Sequence, residues 1–128
     1  MICKNCGKDF ILPYGEVNRL YCYDCMPKGL SKNEQTAVAR KMGKIKALEY
    51  LGGKCICCGF SQYPSSLEFH HIDESAKDFN IANKITSAQL NKTLYKELDK
   101  CVILCSNCHR AYHAKELEPE KIKLIERR

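Results

Sequence analysis

At 128 residues, with 45% hydrophobic and 28% charged content, the chain has the composition of one or two small globular domains with a modest core. No stretch is apolar for the roughly 20 residues a membrane span needs, and the opening Met1-Ile2-Cys3-Lys4-Asn5-Cys6 lacks the apolar run of a secretion signal, so the reading is an intracellular protein. The formal charge of +6 suggests a polyanionic partner, yet two tetrathiolate zinc sites would each carry about −2 and leave a balance near +2, so where the charges lie matters more than their sum.

Ten cysteines are far more than such a chain ordinarily carries, and eight form four C-x-x-C pairs: Cys3/Cys6, Cys22/Cys25, Cys55/Cys58 and Cys105/Cys108. Inside a cell this pattern reads as two four-cysteine zinc sites rather than disulfides. Residues 1–26 hold the first, Cys3-x2-Cys6-x15-Cys22-x2-Cys25, a zinc ribbon or knuckle. Phe10, Leu12, Tyr14, Leu20 and Tyr21 supply its small apolar core, and without metal such a unit is expected to unfold. Its role is open between structure, dimerisation into a homodimer and DNA reading.

Residues 27–54 comprise a Pro27-Lys28-Gly29 linker and a helix from Ser31 to about Leu51, opened by the capping box Ser31-Lys32-Asn33-Glu34 and ended by Gly52-Gly53. Val38, Met42, Ile45, Leu48 and Leu51 form its apolar seam. Arg40, Lys41, Lys44 and Lys46 make it basic, either as a solvated face or as a surface that tracks nucleic-acid phosphates.

Residues 55–118 form the next unit. Cys55, Cys58, Cys105 and Cys108 clamp its ends, 46 residues lying between the two pairs. Leu67 to Ile72 and Cys101 to Leu104 are short β-type runs expected to pair antiparallel. Ser87 to Leu98 reads as an insertion helix with Leu90, Leu94 and Leu98 on one stripe. Ser106 or Asn107 caps a final helix running to about Leu117, before Pro119. The expected class is therefore α+β, a zinc-stapled ββα unit. Residues 119–128 are a charged tail with scope for a short helix. Cys57 and Cys101 are expected to be packing residues. Asp73 either starts a turn or supports the neighbouring histidines.

All four histidines fall in two places, His70-His71 on the first strand and His109/His113 on the last helix. Positions i and i+4 share a helix face, so His109 and His113 can address one ion. Neighbours on a strand point to opposite faces, which divides the roles of His70 and His71. Structural zinc prefers thiolate, and Cys57 and Cys101 were at hand, so an imidazole cluster suits a catalytic metal with an open position. The alternative is a non-catalytic zinc-binding module that docks nucleic acid or protein, its histidines structural.

Residues 55–113 resemble the HNH endonucleases, the ββα-metal nucleases, and look closest to small bacteriophage or bacterial members. The resemblance rests on Cys55-x2-Cys58, on Leu67-Glu68-Phe69-His70-His71-Ile72-Asp73, and on Lys100-Cys101-Val102-Ile103-Leu104-Cys105 running into Ser106-Asn107-Cys108-His109 and on to His113. It implies a DNA phosphodiester hydrolase acting on double-stranded DNA, located in the cytoplasm of a bacterial or phage-infected cell, with roles in homing, phage-genome processing, restriction or repair. His71 would be the general base, and His70, His109 and His113 would hold one divalent ion, Mg²⁺, Mn²⁺, Ni²⁺ or Zn²⁺. Two structural Zn²⁺ would accompany it. Arg110, beside a ligand, is either a phosphate contact or a plain exposed residue. The family's middle asparagine is replaced by Lys100, with Asn80, Asn83 and Asn91 as possible substitutes.

Overall fold

The structure is a computed structural model that describes residues 1–12 and 19–126. Tyr14 and the last two residues of the tail lie outside the described residues. The described residues form an α+β fold with one two-stranded sheet and five α-helices. No helix among them is long and apolar enough to cross a membrane.

Helix α1, Lys32–Tyr50, forms the spine. Its capping box is complete: Ser31 Oγ accepts from the Glu34 N–H at 3.2 Å, and Glu34 Oε1 accepts from the Ser31 N–H at 3.2 Å. Two of the four orphan N-terminal donors are thereby accounted for. Met42 packs into the N-terminal unit with Phe10, Tyr21 and Met26, Leu48 into the cluster on the sheet, and Ala47 against Ile81, Leu94 and Leu98. One helix thus ties three small cores together, which none could do alone at this size. Ile45, expected in the apolar seam, is only partly buried and faces a groove instead. Where α1 crosses the inter-strand segment the backbones approach so closely that only Gly43 fits. A Cβ there would lie 2.2 Å from the Ser87 carbonyl oxygen and 2.5 Å from Ile85 Cγ2.

Strands β1, Leu67–His71, and β2, Cys101–Cys105, pair antiparallel with Leu67 opposite Cys105 and His71 opposite Cys101. Every residue of β2 is buried, so it reads as a continuous apolar run, whereas β1 is partly covered. Between them come α2, Ile81–Lys84, and α3, Lys92–Leu98. The insertion helix is therefore shorter than the sequence suggests. It starts at Lys92 because Asn91 Oδ1 accepts from the Leu94 N–H at 2.8 Å, an N-cap that outcompetes an earlier start. Residues 87–91 instead turn back over α1, where the buried Ala88 donates its N–H to the Tyr21 hydroxyl at 3.2 Å.

Helix α4, Ser106–His113, follows β2 without a loop. It stops four residues before the expected Leu117. Lys115 adopts φ of 62°, and the Glu116 N–H returns to the Ala111 carbonyl at 2.8 Å, a C-terminal closure that terminates the helix. The chain then folds back so that Leu117 and Ile125 join the sheet cluster. The charged tail is helix α5, Pro119–Glu126, which buries Ile125 and exposes most of its charges.

Candidate metal centre and adjoining groove

The two leading C-x-x-C pairs adopt the same local shape. The Cys3 N–H donates to the Lys8 carbonyl and the Gly7 N–H to the Cys3 carbonyl; the Cys55 N–H donates to Phe60 and the Gly59 N–H to Cys55 in the same way. Gly7 and Gly59 take φ of 75° and 79°, the left-handed turn that an L side chain disfavours. Each knuckle meets its partner pair, so Cys3, Cys6, Cys22 and Cys25 converge in one group, and Cys55, Cys58, Cys105 and Cys108 in another. Either group can hold a metal ion. Cys6 and Cys22 sulfurs lie 3.7 Å apart, as do those of Cys58 and Cys105. Four sulfurs at tetrahedral corners about 2.3 Å from an ion would stand about 3.8 Å apart.

The thiol chemistry fits that occupant. Burial works to raise Cys3 and Cys55, but the surrounding backbone N–H groups draw them down to about 6 and about 7. Burial and the neighbouring sulfurs push Cys108 far up. Four crowded thiols cannot all ionise unaided, and a divalent cation removes that conflict. Of the remaining two, Cys57 packs at the edge of the sheet core, its sulfur 3.6 Å from the Lys121 carbonyl, and Cys101 is fully buried with its sulfur 3.5 Å from the Glu97 carbonyl.

A third group combines one strand residue with two helix residues. The pleat of β1 sends Glu68 and His70 toward α4, where His109 and His113 stand one turn apart. The ligand nitrogens of His70, His109 and His113 all lie within 4.8 Å of one another. His70 Nδ1 is 3.4 Å from His109 Nε2, matching the spacing of about 3.4 Å expected for two nitrogens on one tetrahedral ion with bonds of about 2.0–2.1 Å. Burial, then the adjacent His109 and His113, lower His70 to about 4, so the ring is neutral as a ligand must be. Its Nε2 is buried and lacks a hydrogen-bond partner among the described residues. His113 is exposed, which leaves the cluster open on one side.

Glu68 completes this centre, a role that no motif in the sequence assigns to it. Its Oε1 is 3.0 Å from His109 Nδ1. A carboxylate there keeps the proton on Nδ1 and turns the Nε2 lone pair toward the cluster. The signal that could have found it is strand alternation, since Glu68 and His70 are two apart and share a face.

His71 points the other way. It is buried, and its Nε2 lies 2.8 Å from Oε2 of Glu97 on α3, itself only 1% exposed. Glu97 also accepts from the Asp78 N–H at 2.9 Å and from Lys100 Nζ at 2.8 Å. Lys100 further reaches the Ala76 carbonyl and Asp78 Oδ2, each at 2.9 Å, and so ties down the segment after β1. The group paired with His71 is thus Glu97, rather than Asn80, Asn83 or Asn91, the possible substitutes for the asparagine. Asn91 caps α3, and Asn80 precedes α2 and lines a groove beside α1. Asp73 accepts from the Ser75 N–H and hydroxyl and so starts a turn. Glu97 follows Leu94 by three residues and so shares the buried face of α3 with Leu94 and Leu98; the signal that could have found it is a charged residue at that helical spacing.

That groove is open, encloses about 670 Å³ and runs between α1 and β1. Leu67, Phe69, Ile81 and Ile85 line it, together with Arg40, Lys41 and Lys44 from α1, Lys77 from the inter-strand segment, and both His71 and His109. Burial lowers Lys44, against the charge of Glu68. Lys46 is not among the groove residues. Its Nζ donates to the Lys4 carbonyl at 2.7 Å, bracing the N-terminal unit on α1. Arg110 is exposed on α4 and does not line the groove either. Comparison of the chain with protein-family models, with curated proteins and with solved structures finds no match.

Proposed function

We propose that the protein is a metal-dependent endonuclease of the HNH, ββα-metal kind that hydrolyses DNA phosphodiester bonds. The observation that carries this reading is the division of labour on β1. His70 joins a three-imidazole cluster with His109 and His113, and the adjacent His71 lines a groove rimmed by Arg40, Lys41, Lys44 and Lys77. His109 borders both places, so the cluster and the groove are continuous.

His70, His109 and His113 would hold the ion, with Glu68 orienting His109. A divalent cation bound there supplies positive charge to the reacting phosphate and to the departing 3′-oxygen. Three imidazoles favour zinc or nickel over magnesium by affinity, although the ion that best supports activity need not be the tightest bound. His71 takes the proton from a water molecule as that oxygen attacks phosphorus in line, since imidazole is a competent base near neutral pH. The 3′-oxygen leaves, takes a proton from solvent, and the products are a 5′-phosphate and a 3′-hydroxyl. The cations of α1 hold the DNA backbone along the groove that His71 lines. The two cysteine groups, filled with zinc, fix the knuckles and the start of α4.

Supercoiled plasmid incubated with Mg²⁺, Mn²⁺, Ni²⁺ or Zn²⁺ provides the test. Wild-type protein should nick or linearise it with at least one of these ions and EDTA should stop the reaction. His71→Ala should lose cleavage while keeping its metals and its melting temperature. Wild-type-like cutting by His71→Ala removes that residue from the mechanism. No cutting with any ion, together with three equally tight zincs, assigns the histidines to a non-catalytic zinc-binding module.

A further inference from the structure

A carboxylate as deeply buried as Glu97 is costly unless its charge is met by donors. Here three donors meet it: Lys100 Nζ at Oε1, and both the Asp78 N–H and His71 Nε2 at Oε2. Burial acts to raise the Glu97 carboxyl, but Lys100, the Asp78 N–H and His71 together hold it below the usual carboxylate range. An ionised carboxylate only accepts hydrogen bonds, so His71 Nε2 must be the donor of the pair. In the neutral ring the lone pair then resides on Nδ1, the nitrogen not committed to Glu97.

We infer that Glu97 is a positioning residue that fixes His71 in the Nε2–H tautomer, orients its ring toward the groove, and leaves Nδ1 as the basic atom. The tautomer assignment stands on the geometry of the pair. The use of Nδ1 as the base rests on the endonuclease reading. Lys100 contributes indirectly, as a further donor to Glu97 and by holding residues 76–78 over it. The chain thus carries a buried acid–base pair, supplied by the insertion helix α3, on the face of β1 opposite the three-histidine cluster.

The experiment uses the full, metal-loaded chain. Glu97→Gln would keep an amide oxygen facing the Asp78 N–H and His71 Nε2. Glu97→Leu, which removes the acceptor, is therefore built in a Lys100→Met background that leaves no ammonium unpaired, and is measured against Lys100→Met. Nitrogen chemical shifts of ¹⁵N-labelled histidine, with resonances assigned through His71→Ala, report the tautomer. Wild type and Lys100→Met should show His71 protonated at Nε2, and adding Glu97→Leu should shift the signal toward a tautomer mixture. Plasmid nicking by the double variant should fall in kcat by about a hundredfold or more relative to Lys100→Met, with KM and metal content unchanged. An Nδ1–H tautomer in the wild type overturns the assignment. So does an unchanged tautomer or an unchanged kcat in the double variant of an active enzyme. A wild type with the Nε2–H tautomer but no nicking supports the pairing and overturns the endonuclease reading.

Discussion

Arg40, Lys41 and Lys44 line the groove beside His71, while Lys46 has its ammonium on the Lys4 carbonyl. Replacing the first three with Gln should therefore weaken binding to every DNA sequence alike, and replacing Lys46 should not. Each phosphate deprived of its cation lowers the slope of log K against log salt by about 0.9, so removing three cations lowers it by up to about 2.7. Extrapolated from 1 M, that slope makes the triple variant up to about 500-fold weaker at 0.1 M salt, and the gap should close by up to about 40-fold between 50 and 200 mM. Fluorescence anisotropy with a labelled duplex across that salt range measures the slope directly, and a scrambled duplex checks that the loss is independent of sequence. Cleavage at saturating DNA should persist, because the histidine cluster is untouched. An unchanged slope in the triple variant would make this face of α1 a solvated surface. A slope lowered as much by Lys46→Gln alone would refute the placement of that side chain.

Three further outcomes follow from the same geometry. Glu68→Ala removes the carboxylate behind His109 and should weaken the third metal site by about 10- to 100-fold in a titration with Zn²⁺ or Ni²⁺, leaving the two cysteine sites full. Gly43→Ala drives a Cβ into the Ser87 carbonyl and Ile85, and should cost about 1–3 kcal/mol, read as a fall of several degrees in the thermal midpoint. Stripping the metals with a strong chelator should first release the histidine-bound ion and abolish nicking with circular dichroism unchanged. Removal of the two thiolate-bound ions should then unfold the chain, since the four-cysteine groups supply much of the closure that its small cores cannot.

Much of the molecule follows from local pattern. Four C-x-x-C pairs, the i, i+4 spacing of His109 and His113, the alternation across His70 and His71, and the Ser31/Glu34 capping box are short-range signals, and short-range geometry is what residue order specifies directly. They suffice for an α+β chain with two thiolate groups and an imidazole group able to hold metal ions. Order along the chain also suggests which C-x-x-C pairs share an ion, and in the fold the Ile56 N–H docks the knuckle on the Ile103 carbonyl of β2, so that Cys55 and Cys58 meet Cys105 and Cys108. Other features depend on contacts between distant segments. The start of α3 is decided by competition, since Ala88 gains a partner in Tyr21 and Asn91 caps the helix later. In sequence Lys46 is equivalent to Lys44; in the fold the N-terminal unit claims its ammonium. Helical spacing puts Glu97 on the face of Leu94 and Leu98, but only packing supplies the partners of its charge, His71, Lys100 and the Asp78 backbone. A buried charge is recognisable only through the donors gathered around it, and those donors come from three separate segments of the chain. That convergence belongs to the tertiary structure alone, because no periodicity in the sequence records which side chains meet after folding.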